Sequence, residues 1–168
     1  MDRGLDRTSL EDLSAATGVS ARMLIHYFGS KDGLLSAALN EARRQQLSAA
    51  HEHLARAAVA DVHDLLVTMR SFLASPATER HLRLFTEVAA VSARDPRRFS
   101  GFSRASVHDW LPALEAPLRQ AGHDAATATA LATLALAVER GLLLDSNATG
   151  ERARVEAAHE ALLRLLRL

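Results

Sequence analysis

Apolar residues recur every three or four positions along most of the chain, and no stretch shows the strict alternation of a half-buried strand. This spacing predicts an all-α fold. The predicted helices cover residues 8–16, 20–28, 30–58, 61–75, 77–94, 104–121, 124–146 and 151–167. Residues 1–7 and 96–104 are predicted as loops, and Pro112 and Pro117 predict a kink or a break in the sixth helix.

The first 35 residues combine helix caps with glycine stops. Helix starts are predicted at Thr8, where Glu11 completes the spacing of a capping box, at Ser20 and at Ser30, and helix ends at Gly18 and Gly29. Two short helices around a glycine turn form a helix-turn-helix, whose second helix can enter the major groove of DNA. The pattern therefore predicts a DNA-binding motif that leads directly into a third helix.

The last two predicted helices, 124–146 and 151–167, are rich in alanine and leucine and are joined by a predicted turn over residues 147–150. A turn this short implies an antiparallel pair. Such a pair can bury one side in its own domain and the other against a second copy, which predicts a homodimer through a four-helix bundle. The alternative is that all these leucines belong to the core of a single chain.

Composition narrows the class of protein. Apolar residues make up 48% of the 168-residue chain, which is enough for a substantial core, and cysteine is absent. We find no run of eighteen apolar residues and no apolar signal-peptide region, so we expect a cytoplasmic protein without a membrane span. The net charge is zero, and residues 1–45 are also balanced. DNA binding would therefore depend on where the basic side chains lie rather than on a basic excess.

Residues 8–35 resemble the DNA-binding domain of the TetR family of transcriptional repressors. The resemblance lies in Thr8-Ser9, Leu13, Gly18-Val19-Ser20, Leu24, Tyr27-Phe28-Gly29-Ser30-Lys31 and Leu34-Leu35. It implies a helix-turn-helix DNA-binding domain over residues 1–45 and a helical ligand-binding and dimerisation domain over residues 46–168. It also implies a repressor that a small-molecule ligand releases from its operator.

The sequence departs from the family pattern in three places. Members of the family have a full apolar helix before the motif, whereas only seven residues precede Thr8, so we expect this first helix to be absent. Losing about three large apolar contacts would cost roughly 5–9 kcal/mol. In addition, Ser14 stands where the pattern prefers alanine, and Ile25 stands where a tyrosine is common, which removes one candidate phosphate donor.

The predicted DNA-binding residues are Ser9, Ser20, Ala21, Arg22, Met23, His26, Tyr27 and Lys31. Arg22 can donate to guanine or phosphate, and Met23 can contact a thymine methyl group. Lys31 is the only lysine, and it lies in the first turn of a helix, where the macrodipole disfavours a cation. A DNA phosphate there would relieve the conflict. The alternatives are a lysine paired with Asp32 or another acid and, for His26, a solvated surface histidine.

Candidate ligand-binding residues in the C-terminal part are Phe85, Phe102, Trp110 and Arg140. A mostly apolar cavity with a few polar groups would suit an apolar effector. The alternative for each aromatic residue is ordinary core, and for Arg140 a surface ion pair.

The sequence predicts neither an enzyme nor a bound metal or other cofactor. His51 and His53 are two residues apart and so lie on different sides of a helix, and no set of residues forms a recognisable catalytic group. The leading hypothesis is a dimeric, ligand-responsive repressor that binds double-stranded operator DNA. The alternative is a dimeric, all-helical ligand-binding or interaction module whose DNA head is incompetent because the first helix is missing.

Overall fold

The computed structural model describes residues 8–74, 76–95, 97–99 and 101–167. Within these ranges the chain forms nine α-helices and no β-strand, which confirms the all-α prediction. The helices are α1 (Leu10–Thr17), α2 (Ala21–Phe28), α3 (Lys31–Ala55), α4 (Val62–Leu73), α5 (Pro76–Arg94), α6 (Phe102–His108), α7 (Leu111–Gln120), α8 (Ala125–Thr149) and α9 (Arg152–Leu165). The predicted loop at residues 1–7, and the expected absence of a helix before Thr8, lie outside the described residues.

The caps of the first three helices follow the predicted pattern with one correction. Gly18 ends α1 in the left-handed conformation, and the Ser20 and Ser30 side chains cap α2 and α3. The start of α1 is not the predicted Thr8–Glu11 pair. Ser9 is the N-cap: its hydroxyl oxygen accepts from the Asp12 N–H at 3.0 Å, and the Asp12 carboxylate accepts from the Ser9 N–H at 2.8 Å. Both pairs have the spacing of a capping box, so spacing alone could not distinguish them.

Three other predicted boundaries were wrong. The predicted helix 104–121 is two helices, because α6 ends at His108 and α7 starts at Leu111, with Pro112 in its first turn, where no N–H is required. The third helix ends at Ala55 rather than 58. α8 continues through most of the predicted turn and ends only at Gly150, which takes the left-handed conformation and donates its N–H to the Ser146 carbonyl.

Two apolar clusters hold the helices together. The larger cluster joins α3, α4, α7 and α8 around fully buried residues such as Leu65, Leu114 and Ala132. The second, which we call the head cluster, consists of Leu13, Leu24, Leu35, Leu39, Val88, Val91, Phe99 and Phe102. The head cluster therefore joins the helix-turn-helix to α5 and α6, and the long helix α3 contributes to both clusters.

α8 is the central helix of the C-terminal part. By length and composition it is apolar enough to cross a membrane, which the sequence analysis did not anticipate. In the fold it instead packs against α4, α5, α7 and α9. Its buried face repeats at helical spacing, through Ala128, Ala132, Ala135, Leu136 and Glu139. Such a face is expected of the core helix of a helical bundle.

Candidate DNA-binding surface and ligand cavity

The helix-turn-helix presents one side of α2 to solvent. Leu24 is buried and fixes the inner side of the helix against α1 and α3. Arg22, Met23, His26 and Tyr27 are exposed on the outer side, with Tyr27 at 70%. These four of the predicted DNA-binding residues thus share the surface of the helix that can enter a groove. Because Arg22 and His26 are the basic groups of this surface, its positive charge is modest.

The remaining predicted DNA contacts flank α2. Ser20 is exposed, and its hydroxyl oxygen accepts from the Met23 N–H, while Ala21 is half-buried in the first turn. The Ser9 hydroxyl donates to the Asp12 carboxylate at 2.8 Å. A hydroxyl has one proton, so Ser9 could donate to a phosphate only by giving up this bond.

Lys31 has a role that its sequence context did not reveal. Its Nζ donates to the Thr8 carbonyl at 3.1 Å and so ties the chain before α1 to the start of α3. The alternative pairing with Asp32 was wrong, because Asp32 pairs with Arg98, whose Nε lies 3.2 Å from Oδ2. An ammonium has three protons, so the bond to Thr8 leaves donors available for a phosphate.

The four predicted ligand-binding residues line one cavity. Phe85, Phe102, Trp110 and Arg140 meet between α3, α4, α5, α6 and α8, around a cavity of about 60 Å³, or about 670 Å³ when the space that opens to solvent is included. The other lining residues are Leu39, Ala42, Arg43, Gln46, Met69, Leu73, Leu84, Ser106, Leu136, Glu139 and Leu143. The wall is largely apolar with a few polar groups, as is usual for a small-molecule site.

Arg140 lies in the cavity wall between an aromatic ring and a backbone carbonyl. Its guanidinium carbon is 4.7 Å from the centre of the Phe85 ring, and one nitrogen donates to the Ser106 carbonyl at 2.6 Å. No carboxylate of the described residues lies within ion-pair distance of it. Burial lowers the pKa of Arg140 to about 10, because the guanidinium is removed from water. The alternative of a surface ion pair for Arg140 was therefore wrong.

Sequence reasoning did not select Glu139, which lines the same cavity. Its side chain is 1% exposed, and Oε2 accepts from Arg70 at 3.4 Å. Burial, the largest influence, raises the pKa of Glu139 to about 7, although Arg70 acts in the opposite direction. The signal was present in the sequence, because Glu139 continues the buried spacing of Ala132 and Leu136 along α8.

Glu139 belongs to a group of charges that reaches the surface of α9. The buried His159 places Nε2 3.0 Å from Glu139 Oε1. Burial, followed by the nearby Arg70 cation, lowers the pKa of His159. Arg70 also pairs with the exposed Glu156. The cavity wall is therefore connected through polar side chains to the last helix.

One group of potential metal ligands occurs in the described part of the chain, at the start of α4. Ligand atoms of Asp61, His63 and Asp64 lie within 4.8 Å of one another. Each has a role in the fold: Asp61 caps the helix, Asp64 accepts from the Ala60 N–H, and His63 accepts from Arg167 at 2.8 Å. These contacts account for the cluster without an ion, and the absence of a metal cofactor stays a prediction.

The first helices of the fold form a helix-turn-helix with α2 exposed, which is an arrangement used by DNA-binding transcriptional regulators. A family model described as "Bacterial regulatory proteins, tetR family" matches residues 1–38. No curated protein matches the chain. The crystal structure of a TetR transcriptional regulator from Legionella pneumophila has the same fold, with a TM-score of 0.74 and 14% identity over 98% of this chain and 88% of that one. The N-terminal part of the chain therefore matches the DNA-binding domain of the TetR family, and the fold of the whole chain is that of a TetR regulator.

Proposed function

We propose that the protein is a repressor that leaves its operator when a small molecule fills the cavity. The observation that carries this proposal is that the cavity and the head cluster share residues. Leu39 and Phe102 line the cavity and belong to the head cluster, which also contains Leu24 of α2. Leu84 and Phe85 line the cavity and pack against the same cluster. A ligand that displaces these side chains must repack the support of α2.

A second connection runs through the segment between α5 and α6. Phe99 is buried in the head cluster, and the neighbouring Arg98 forms the ion pair with Asp32 in the first turn of α3. Phe102 begins α6 and lies in the cavity wall. The same short segment therefore contacts the cavity and the start of α3. Packed cores move between discrete arrangements, so a shift here can reorient the head.

We also propose that the protein is a homodimer. Exposed small and apolar residues repeat every three or four positions along α8, at Ala130, Leu134, Ala137, Gly141 and Leu144. We call this set the α8 stripe. Leu134 and Leu144 are each at least half exposed in the single chain. Burying the stripe against a second copy would form the expected four-helix bundle and place two α2 helices on two half-sites.

In this proposal residues 1–45 form the DNA-binding domain and residues 46–168 the ligand-binding and dimerisation domain, with α3 running through both. The eight predicted DNA contacts read the operator and hold its phosphates, and Lys31 is the principal phosphate contact. Regulation of this kind takes place in the cytoplasm. The ligand acts by binding better to the arrangement in which the two heads do not fit adjacent half-sites.

The first test is a DNA-binding titration against the intergenic DNA that flanks the gene, at about 50 and 200 mM salt, with repression of a reporter measured in parallel. A competent head should bind with an affinity that falls steeply with salt, because bound phosphates release counterions. Arg22→Ala should weaken binding, whereas Arg104→Ala, at an exposed position on α6, should not. Binding that is absent or insensitive to salt would contradict the proposal and favour the interaction module.

Two variants test the proposed coupling between the cavity and the DNA-binding helices. Phe102→Ala changes a residue shared by the cavity and the head cluster, whereas Leu143→Ala changes a residue of the cavity wall outside that cluster. We expect only the first to alter operator affinity, although neither residue belongs to the predicted DNA surface. Equal effects of the two variants on operator affinity would contradict the proposed route.

A further inference from the structure

Two buried hydrogen-bond donors on residues of the cavity wall lack acceptors. One terminal nitrogen of Arg43 contacts Asp109 and the Ala105 carbonyl, and the other donates to Asn40 Oδ1, but Nε is buried without a hydrogen-bond partner. Gln46 Nε2 is buried and also lacks a partner. Both residues lie on α3, about one helical turn apart, and line the cavity. Leaving buried donors unpaired costs free energy, so such groups point to an acceptor that is supplied from outside.

Arg140 adds a cation to these donors from the opposite helix. Its hydrogen bond to Ser106 and its contact with the Phe85 ring provide no negative charge. By contrast, the two other arginines near the wall are neutralised, Arg43 by Asp109 and Arg70 by Glu139 and Glu156. Arg140 is therefore the wall cation that lacks a carboxylate among the described residues.

Several acceptors of the wall are already engaged within the protein, although Glu139 Oε1 is buried without a hydrogen-bond partner. The Ser106 hydroxyl donates to the Phe102 carbonyl at 2.6 Å, and the Ser106 carbonyl is bonded to Arg140. The Glu139 carboxylate faces Arg70 and His159. A cationic ligand would meet the Arg140 cation and would share the Glu139 carboxylate with Arg70, which already pairs with it. Most of the remaining wall, including Met69, Leu84 and Phe85, offers apolar contact.

Resting on the proposed ligand cavity, the geometry points to a ligand class: a small carboxylic acid with an apolar body. Its carboxylate accepts from Arg140 and from the unpaired donors of Arg43 and Gln46. Its hydrocarbon body lies against the aromatic and aliphatic side chains of the wall. Carboxylate–guanidinium hydrogen bonds are stronger than neutral ones, so the charged group should dominate selectivity.

The test measures binding of three matched probes, octanoate, octanol and octylammonium, through Trp110. This residue is the sole tryptophan of the chain and lines the cavity, so its fluorescence reports on occupancy there. We expect octanoate to bind at least tenfold more tightly than the other two probes. Arg140→Met should abolish this preference, and Arg104→Met, the exposed control on α6, should keep it.

A second variant allows the inference to be tested even if Arg140→Met does not fold. Gln46→Leu removes a neutral donor, and it should weaken octanoate binding severalfold while octanol affinity stays unchanged. Equal affinity for the three probes, tighter binding of octylammonium, or a preference for octanoate that survives Arg140→Met would each overturn the inference. A silent Trp110 with all three probes would also overturn it. The DNA titration involves no ligand, so those results leave operator binding to be judged separately.

Discussion

Replacing Glu139 with glutamine should change how the stability of the protein depends on pH. The folded chain raises the pKa of Glu139 from 4.5 to about 7, so the folded state binds this proton more tightly than the unfolded state does. Below the unfolded pKa both states are protonated, and burial of the carboxyl costs little. As the pH rises through this window, the folded state becomes less stable, and above the folded pKa the full cost of the buried charge is present.

The magnitude follows from the two pKa values. One pKa unit corresponds to about 1.4 kcal/mol, so the full cost of ionised Glu139 is about 3 kcal/mol. Glutamine has the shape of the protonated acid and does not titrate. Relative to the wild type, Glu139→Gln should therefore gain roughly 2–3 kcal/mol of unfolding free energy between about pH 5 and pH 8. The gain arises because the wild type loses stability over this range.

The assay is urea unfolding of both proteins at several pH values and one protein concentration. His159 has a lowered pKa, so it gives the opposite slope at acidic pH in both proteins. Glu156→Gln is the control, because Glu156 is an exposed partner of the same arginine. Its effect should stay within about 1 kcal/mol at every pH. A difference for Glu139→Gln that does not vary with pH, or that shrinks as pH rises, would refute the reasoning.

Three further predictions concern the head and the α8 stripe. Lys31→Ala should weaken binding to all duplexes alike and reduce the salt slope by about 1, as a salt titration would show; a loss confined to one operator position would exclude a phosphate role. Gly33→Ala should lower the melting temperature, because the new Cβ would collide with the Phe28 carbonyl oxygen, and a rise would show that the junction can adjust. Leu134→Glu should yield monomers in light scattering after size exclusion, while Val67→Glu, at an exposed position on α4, should not.

The local features of the fold were predictable because they depend on neighbouring residues. Gly18 ends α1 in a conformation that favours glycine, and Ser20 and Ser30 cap the helices that follow them. The exact start of α1 was not predictable from spacing, because two candidate capping pairs are offset from each other by one residue. Tertiary contact provides the missing information: the Thr8 carbonyl is bonded to Lys31, whereas Ser9 and Asp12 bond each other.

The site was predictable in part for a similar reason. Phe85, Phe102, Trp110 and Arg140 are rare or charged residues in a chain of alanine and leucine, and they come together in one cavity. The unpaired donors of Arg43 and Gln46 could not be foreseen, since an unpaired group is defined only by what lies around it in three dimensions. Glu139 looks like a surface residue in isolation and becomes notable only through its place on the buried face of α8.

These contacts also indicate how an acid in the cavity would act at a distance. Arg140 is held to α6 by the Ser106 carbonyl, and the same helix begins with Phe102 of the head cluster. A ligand carboxylate that draws the guanidinium toward itself would strain this bond and so would loosen the attachment of α6. A ligand can shift the head only by the difference between its affinities for the two arrangements. In the proposed mechanism this difference would arise because the ligand binds better to the arrangement in which the bond between Arg140 and α6 is loosened.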